Sequence, residues 1–192
     1  SPYSTHQLMA EALERLLIEK GVFTTEALRR QIELQDSRTP AQGSALVAKA
    51  WVDPSFRQHL LEDVNGAAEA VGIEAGDIPI RALENTVDLH NVIVCTLCSC
   101  YPRQLIGLPP DWYKSRAYRS RMVHEPRVVL AEFGTEIADD VEVRVHDSTA
   151  DLRFIVLPMP PDGAEQMAEA DLAALVTRDC MIGVSVPKGA GE

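Results

Sequence analysis

No run of about 18 uninterrupted apolar residues, the length a membrane-crossing helix needs, occurs in the sequence. The first 20 residues read as an amphipathic helix, not as a basic start followed by a signal-type apolar segment. The expectation is a soluble, cytoplasmic protein with no membrane partner. Positive charge is in deficit, with a formal net charge of -11, which argues against a nucleic-acid partner or an anionic membrane surface. Internal repeats and low-complexity tracts are absent, so repeat architectures are excluded. Aromatic residues amount to only 5%, yet hydrophobic residues reach 46% over 192 positions, enough for one sizeable core and an appendage. Cysteine is scarce as well, at 4 residues, and a second CxxC is missing.

Three of those cysteines fall in one hexapeptide, Cys95-Thr96-Leu97-Cys98-Ser99-Cys100, which closes the apolar run Val92-Ile93-Val94. In a reducing compartment such clustering points to metal or redox chemistry before a disulfide framework. A structural zinc site wants four ligands, so Cys180 or a histidine has to complete it. A thioredoxin-like CxxC wants a helix starting at its first cysteine, whereas Cys100 and Pro102 follow here. An iron-sulfur cluster lacks a well-placed fourth cysteine. The remaining reading uses the tight Cys98-Ser99-Cys100 spacing: neighbouring residues wrap one ion, backbone amide nitrogens coordinate beside the sulfurs, and one face stays open. Deprotonating an amide demands a strongly polarising, trivalent metal. His90, His124 and His146 share no spacing with the cysteines and are given no role, and Cys180 is read as a buried structural thiol.

Along the chain, Leu8, Met9, Ala12, Leu13, Leu16 and Leu17 recur at helical spacing after Ser4 and Thr5, and Gly21 is a stop. A second helix is expected from Thr24 or Thr25, with Leu28 and Ile32 on one face. Residues 1–40 are therefore read as an N-terminal helical arm that needs a surface to lie on, set off by Asp36-Ser37-Arg38-Thr39-Pro40. Ser44 is expected to cap a helix through Trp51, and Asp53-Pro54 to start another towards Asp63. From Ile73 the period changes. Strands are expected around Ile80, from His90 to Val94, through Val141, Val143 and Val145, and from Leu152 to Leu157. Helices are expected at Pro126 to Phe133 and Glu169 to Arg178, then an apolar segment from Met181 to Val186. The fold class is α+β: the arm, then a mixed α/β layered domain over 41–192. Between Arg103 and Arg127 six Lys/Arg face two Asp/Glu, so this stretch carries +4 and the remainder -15. It is a solvated basic face or an interface for an acidic partner.

The segment Val94-Cys95-Thr96-Leu97-Cys98-Ser99-Cys100-Tyr101-Pro102, followed by Gly107-Leu108-Pro109-Pro110-Asp111-Trp112-Tyr113-Lys114-Ser115, resembles the signature of the nitrile hydratase α subunit family. The related thiocyanate hydrolase γ subunit shares most of it. Further matches run from Ala48-Lys49-Ala50-Trp51 and Asp53-Pro54, through Val129-Leu130-Ala131-Glu132-Phe133-Gly134, to Val176-Thr177-Arg178-Asp179-Cys180-Met181-Ile182-Gly183-Val184. The resemblance implies a nitrile hydratase, a hydro-lyase that turns a nitrile into its amide. It implies a cobalt(III) ion, or less readily iron(III), held by the sulfurs of Cys95, Cys98 and Cys100 and the amide nitrogens of Ser99 and Cys100. The family oxidises the cysteine matching Cys98 to a sulfinate and the one matching Cys100 to a sulfenate. Thr96 is the cobalt-type residue, where iron-type members carry serine.

The same resemblance implies β-type subunits, one or two small chains, whose arginines neutralise the oxidised claw, and a metallochaperone for maturation. Water or the Cys100 sulfenate oxygen is the implied nucleophile. Asp147, Asp151 and Arg153 match an acid and arginine network behind the ligands. Arg103 and Gln104 stand where simple nitrile hydratases place Trp-Pro, as in thiocyanate hydrolase and three-subunit hydratases such as toyocamycin nitrile hydratase. Arg103 is accordingly read as a catalytic-pocket residue for a polar or anionic substrate. The alternatives are a thiocyanate hydrolase γ-type subunit and, outside enzymes, a zinc-binding interaction module.

Overall fold

In the computed structural model, which describes residues 3–189, the chain divides into two compact units, one ending at Ser37 and the other beginning at Arg38. Residues 1, 2 and 190–192, the outer ends of the two expected regions, lie outside the described residues. The first unit holds α1 (Thr5–Glu19) and α2 (Thr25–Asp36). Ser4 closes a capping box with Gln7, and Thr24 accepts a hydrogen bond from the amide of Ala27. Neither helix contains a buried residue, and Leu8, Met9, Leu13 and Leu16 are exposed on α1.

The second unit begins with α3 (Ala41–Val52), α4 (Pro54–Glu62) and α5 (Val64–Ala70), then enters β1 (Ile80–Glu84) and β2 (Leu89–Val94). After the cysteines come α6 (Arg103–Ile106), α7 (Asp111–Lys114), α8 (Arg116–His124) and α9 (Pro126–Glu132). The chain finishes with β3 (Glu142–Asp147), β4 (Arg153–Leu157), α10 (Glu169–Leu175) and α11 (Arg178–Ile182). The strands form two parallel pairs, β1 with β4 and β2 with β3. The mixed α+β architecture expected from the sequence is present. No described helix is long and apolar enough to cross a membrane.

β2 is buried along nearly its whole length, its apolar end Val92-Ile93-Val94 covered on both faces, whereas β3 mixes half-buried and exposed positions. Around them the core gathers Leu46 and Val47 from α3, Leu105 and Ile106 from α6, Met122 from α8 and Met181 and Ile182 from α11. Each such side chain, taken fully out of water, contributes roughly 1.5–3 kcal/mol.

Three local expectations are corrected. Ser44 does not cap its helix: α3 starts three residues earlier, after Pro40, and the buried Ser44 hydroxyl donates to the carbonyls of Pro40 (3.0 Å) and Val176 (2.7 Å). Gly43 permits the early start, because a Cβ there would lie 2.7 Å from both Ile106 and Met181. The expected helix from Glu169 to Arg178 is two helices, broken at the extended Val176, with Thr177 capping the amide of Cys180. The apolar run beginning at Met181 is the end of α11, closed by Gly183 at φ 89°. The basic stretch, read as a solvated face or an interface for an acidic partner, contains α8.

Beside β2 lies a buried polar chain of fixed direction. The Gly183 carbonyl can only accept, so His90 Nε2 carries the proton and donates to it at 2.7 Å, which leaves His90 Nδ1 to accept from Asn85 at 3.3 Å. Asn85 Oδ1 then accepts from the backbone amide and side chain of Asn91, and Asn91 Oδ1 accepts from His146 Nε2 at 2.8 Å. Burial holds the His90 imidazole below its ordinary range. The unfolded chain therefore takes up a proton that the folded chain refuses, and His90's contribution, complete above about pH 6.5, is lost as pH falls towards its folded value. His90→Gln keeps a donor for Gly183 and removes the titration. Its melting temperature should fall less steeply than the wild type's below pH 6.5, measured by thermal unfolding across a pH series.

Candidate metal centre

β2 delivers the cysteines. Cys95 directly follows the last strand residue and is fully buried, whereas Thr96, Leu97 and Cys98 turn out into solvent, Leu97 at 88% exposure. Ser99 and Cys100 are half-buried as the chain returns. Cys98 Sγ lies 3.5 Å from Cys95 Sγ and 3.3 Å from Cys100 Sγ, and all three sulfurs fall within 4.8 Å of one another. All four cysteines are free thiols. Hydrogen bonding, first from Cys100 and then from the Ser99 amide, brings the Cys98 thiol down to about 7. Burial, and then the Cys98 partner, pushes Cys100 up to about 12, with the Arg153 charge pulling the other way.

Is this trio shaped for a metal? At a metal–sulfur distance of about 2.3 Å, two sulfurs at right angles stand roughly 3.3 Å apart and two at the tetrahedral angle about 3.8 Å. The Cys98–Cys100 pair sits at the right-angled value and the Cys95–Cys98 pair midway between the two, spacings from which a single ion can draw all three sulfurs. Among the described residues no fourth side chain joins the group. Cys180 is buried elsewhere, 3.2 Å from the Thr177 hydroxyl. An orphaned donor also points at the centre. Arg153 Nη1 is buried with no hydrogen-bond partner, and its charge acts on Cys100. A site that gains anionic oxygens on its sulfurs supplies such a donor with acceptors. The residues fit a trivalent ion in a sulfur-rich, half-open site.

The turn is held on its N-terminal side by Asp147. Pairing of β2 with β3 sets Val94 opposite Asp147, and the carboxylate accepts from the Thr96 amide at 2.9 Å and the Thr96 hydroxyl at 2.5 Å. The Thr96 carbonyl in turn accepts from Arg119 at 3.4 Å. A cavity of about 550 Å³ opens beside the turn, lined by Thr96, Leu97, Arg116, Arg119, Val123 and His124. Arg103 is exposed at the start of α6 and makes no side-chain hydrogen bond or ion pair among the described residues. Asp151, expected in the Asp147–Arg153 network, is not brought to it. Its backbone amide contacts Thr149 at 3.4 Å, and its exposed carboxylate has no ion pair among the described residues. Sequence reasoning passed over Arg119, Ser148 and, as a functional residue, Tyr113; only Tyr113 lay inside a recognised motif.

The basic stretch is mostly satisfied internally. Lys114 pairs with Asp111, Arg121 with Glu125 and Glu132, and Arg127 donates to the carbonyls of Ile137, Ala138 and Val141. Arg116 and Arg119 remain beside the cysteine turn.

A family model described as nitrile hydratase, alpha chain, matches residues 4–185. The chain is 48% identical over 191 residues to the low-molecular weight cobalt-containing nitrile hydratase subunit alpha of Rhodococcus rhodochrous, covering 97% of this chain and 92% of the relative. It is 42% identical over 197 residues to the thiocyanate hydrolase subunit gamma of Thiobacillus thioparus, covering 96% and 81%. Among solved structures, a recombinant thiocyanate hydrolase comprising partially-modified cobalt centers superposes with a TM-score of 0.91 at 41% identity, covering 97% of this chain and 91% of that one. The chain belongs to the nitrile hydratase α-chain family. Within it, the cysteine trio at the end of β2 is the metal-binding claw.

Asp147→Ala tests how the claw is held. The substituted residue is exposed, so the fold should survive, while the freed turn should bind cobaltous ion on the order of 10- to 100-fold more weakly. Competition with a chromophoric chelator against the reduced full-length chain measures it.

Proposed function

We propose that the chain is the metal-bearing subunit of a cobalt nitrile hydratase, converting a nitrile to the corresponding amide together with β-type partner subunits. The observation that carries this reading is the convergence of three thiols within 4.8 Å on an outward turn behind which a buried arginine nitrogen stands unpartnered. Cobalt(III), held by the sulfurs of Cys95, Cys98 and Cys100 and the amide nitrogens of Ser99 and Cys100, supplies Lewis acidity towards the nitrile.

The chain's own residues divide the remaining tasks. Cys95, closed off from solvent, would escape oxidation, while the exposed Cys98 and half-buried Cys100 would become sulfinate and sulfenate, with dioxygen as electron acceptor and oxygen donor. Arg153 Nη1 hydrogen-bonds an oxygen gained by Cys100 and offsets its charge. Asp147 keeps the turn from refolding as that charge builds. Once oxidised, Cys100 would use its oxygen in one of two ways: it would take the proton of a water whose oxygen bonds the nitrile carbon while the nitrile nitrogen is protonated, or it would bond that carbon itself and be displaced from it by a water oxygen. Arg103 orients a polar or heteroaromatic nitrile from the start of α6. The oxidised claw needs cationic cover, and partner subunits supply it. The exposed apolar residues of α1 and the arginines beside the turn are the surfaces we assign to those partners. A metallochaperone loads the cobalt before assembly, and a cytoplasmic setting keeps the thiols reduced until then.

The native assembly should contain about one cobalt per chain and hydrate a nitrile. This chain should weigh more than its unmodified mass by about three oxygen atoms, placed on Cys98 and Cys100 by tandem mass spectrometry. Stoichiometric zinc on unoxidised cysteines would sink the reading. Turnover of thiocyanate with no action on any nitrile panel would transfer it to thiocyanate hydrolysis.

A further inference from the structure

Asp147 secures one side of the claw, and the other side has its own anchor. Tyr113 in α7 is fully buried, and its hydroxyl donates to the Cys100 carbonyl at 2.9 Å. Its ring packs edge-on against Tyr101 at 5.1 Å and Trp112 at 6.1 Å, and tilted against Tyr118 at 5.6 Å, so the hydroxyl has little freedom to point elsewhere. Ser148, the residue after Asp147, brings its buried hydroxyl to the same phenol. The neighbouring Tyr118 hydroxyl donates to the Ile93 carbonyl at 2.8 Å, on the strand and not on the turn.

We propose that Tyr113 is a positioning residue for the metal: its hydroxyl anchors the Cys100–Tyr101 peptide plane, and through the Cys100 Cα restrains where the Cys100 sulfur and amide nitrogen stand towards the ion. The inference rests on the reading of Cys95, Cys98 and Cys100 as the metal site. Holding the carbonyl holds ψ of Cys100, and the turn loses its freedom to rotate the third sulfur away from the other two. With Thr96 fixed by Asp147 and Cys100 by Tyr113, the outward loop between them is preorganised although Leu97 and Cys98 touch little.

The test titrates cobaltous ion into the reduced full-length chain, following the sulfur-to-cobalt absorption band and competition with a chelator. Tyr113→Phe should weaken cobalt binding on the order of 10-fold and shift the band. Tyr118→Phe, which loses a hydroxyl from the same aromatic cluster, should lower the melting temperature yet leave affinity and band at wild-type values. An unchanged affinity and band in Tyr113→Phe, or equal losses in both variants, overturns the proposal. If Tyr113→Phe does not fold, 3-fluorotyrosine at 113 keeps the ring and strengthens the donor: a shifted band supports the role and an unshifted one overturns it. Failure of the wild-type chain to bind cobalt overturns the metal reading and this inference with it.

Discussion

The parallel pairing of β2 with β3 is the constraint on which the rest depends. Its register sets Val94 opposite Asp147, and the Ser148 amide donates to the Val94 carbonyl at 2.7 Å just beyond the last pair. Side chains alternate faces along a strand, so a slip of one residue would turn Asp147 away from Thr96 and leave the amide at the start of the turn unpaired. The slip is blocked from several directions. His146 reaches Asn91 across the pair, Arg127 ties the approach to β3 through three backbone carbonyls, and β2 is sealed in the core. A Cβ on Gly183 would stand 2.1 Å from the Asn91 carbonyl, so α11 also presses on β2 with no slack.

Rigid support for an exposed turn explains why the two kinds of interior coexist here. On one side, Trp112, Tyr113, Tyr118 and Phe133 form an edge-packed aromatic cluster, and two of its hydroxyls end on the carbonyls of Ile93 and Cys100. On the other, the Asn85–His90–Asn91–His146 chain satisfies every buried polar group it contains in one donor direction. Aromatics amount to only 5% of the sequence, and four of them are spent beside the metal turn.

The claw itself was legible because three cysteines within six residues leave few chemical readings, and the strand before them was legible from an unbroken Val92-Ile93-Val94 run. Capping residues located α1, α2 and α4 for the same local reason: Ser4, Thr24 and Asp53 each satisfy nearby amides. What was not legible is long-range. Ser44 looks like a cap until Val176, 132 positions away, takes its hydroxyl. Between Arg103 and Arg127 the sequence looks like a free basic face, until Glu132 folds against Arg121 and the carbonyls of Ile137, Ala138 and Val141 against Arg127. Asp151 stands four positions from Asp147 in sequence, yet the turn after β3 leaves it in solvent.

The central claim is that Cys95, Cys98 and Cys100 together hold a cobalt ion with lighter atoms completing its shell. X-ray absorption at the cobalt edge of the native assembly tests it most directly. The account predicts three sulfur neighbours accompanied by nitrogen or oxygen. A shell of four sulfurs, or of nitrogen and oxygen alone, would contradict it.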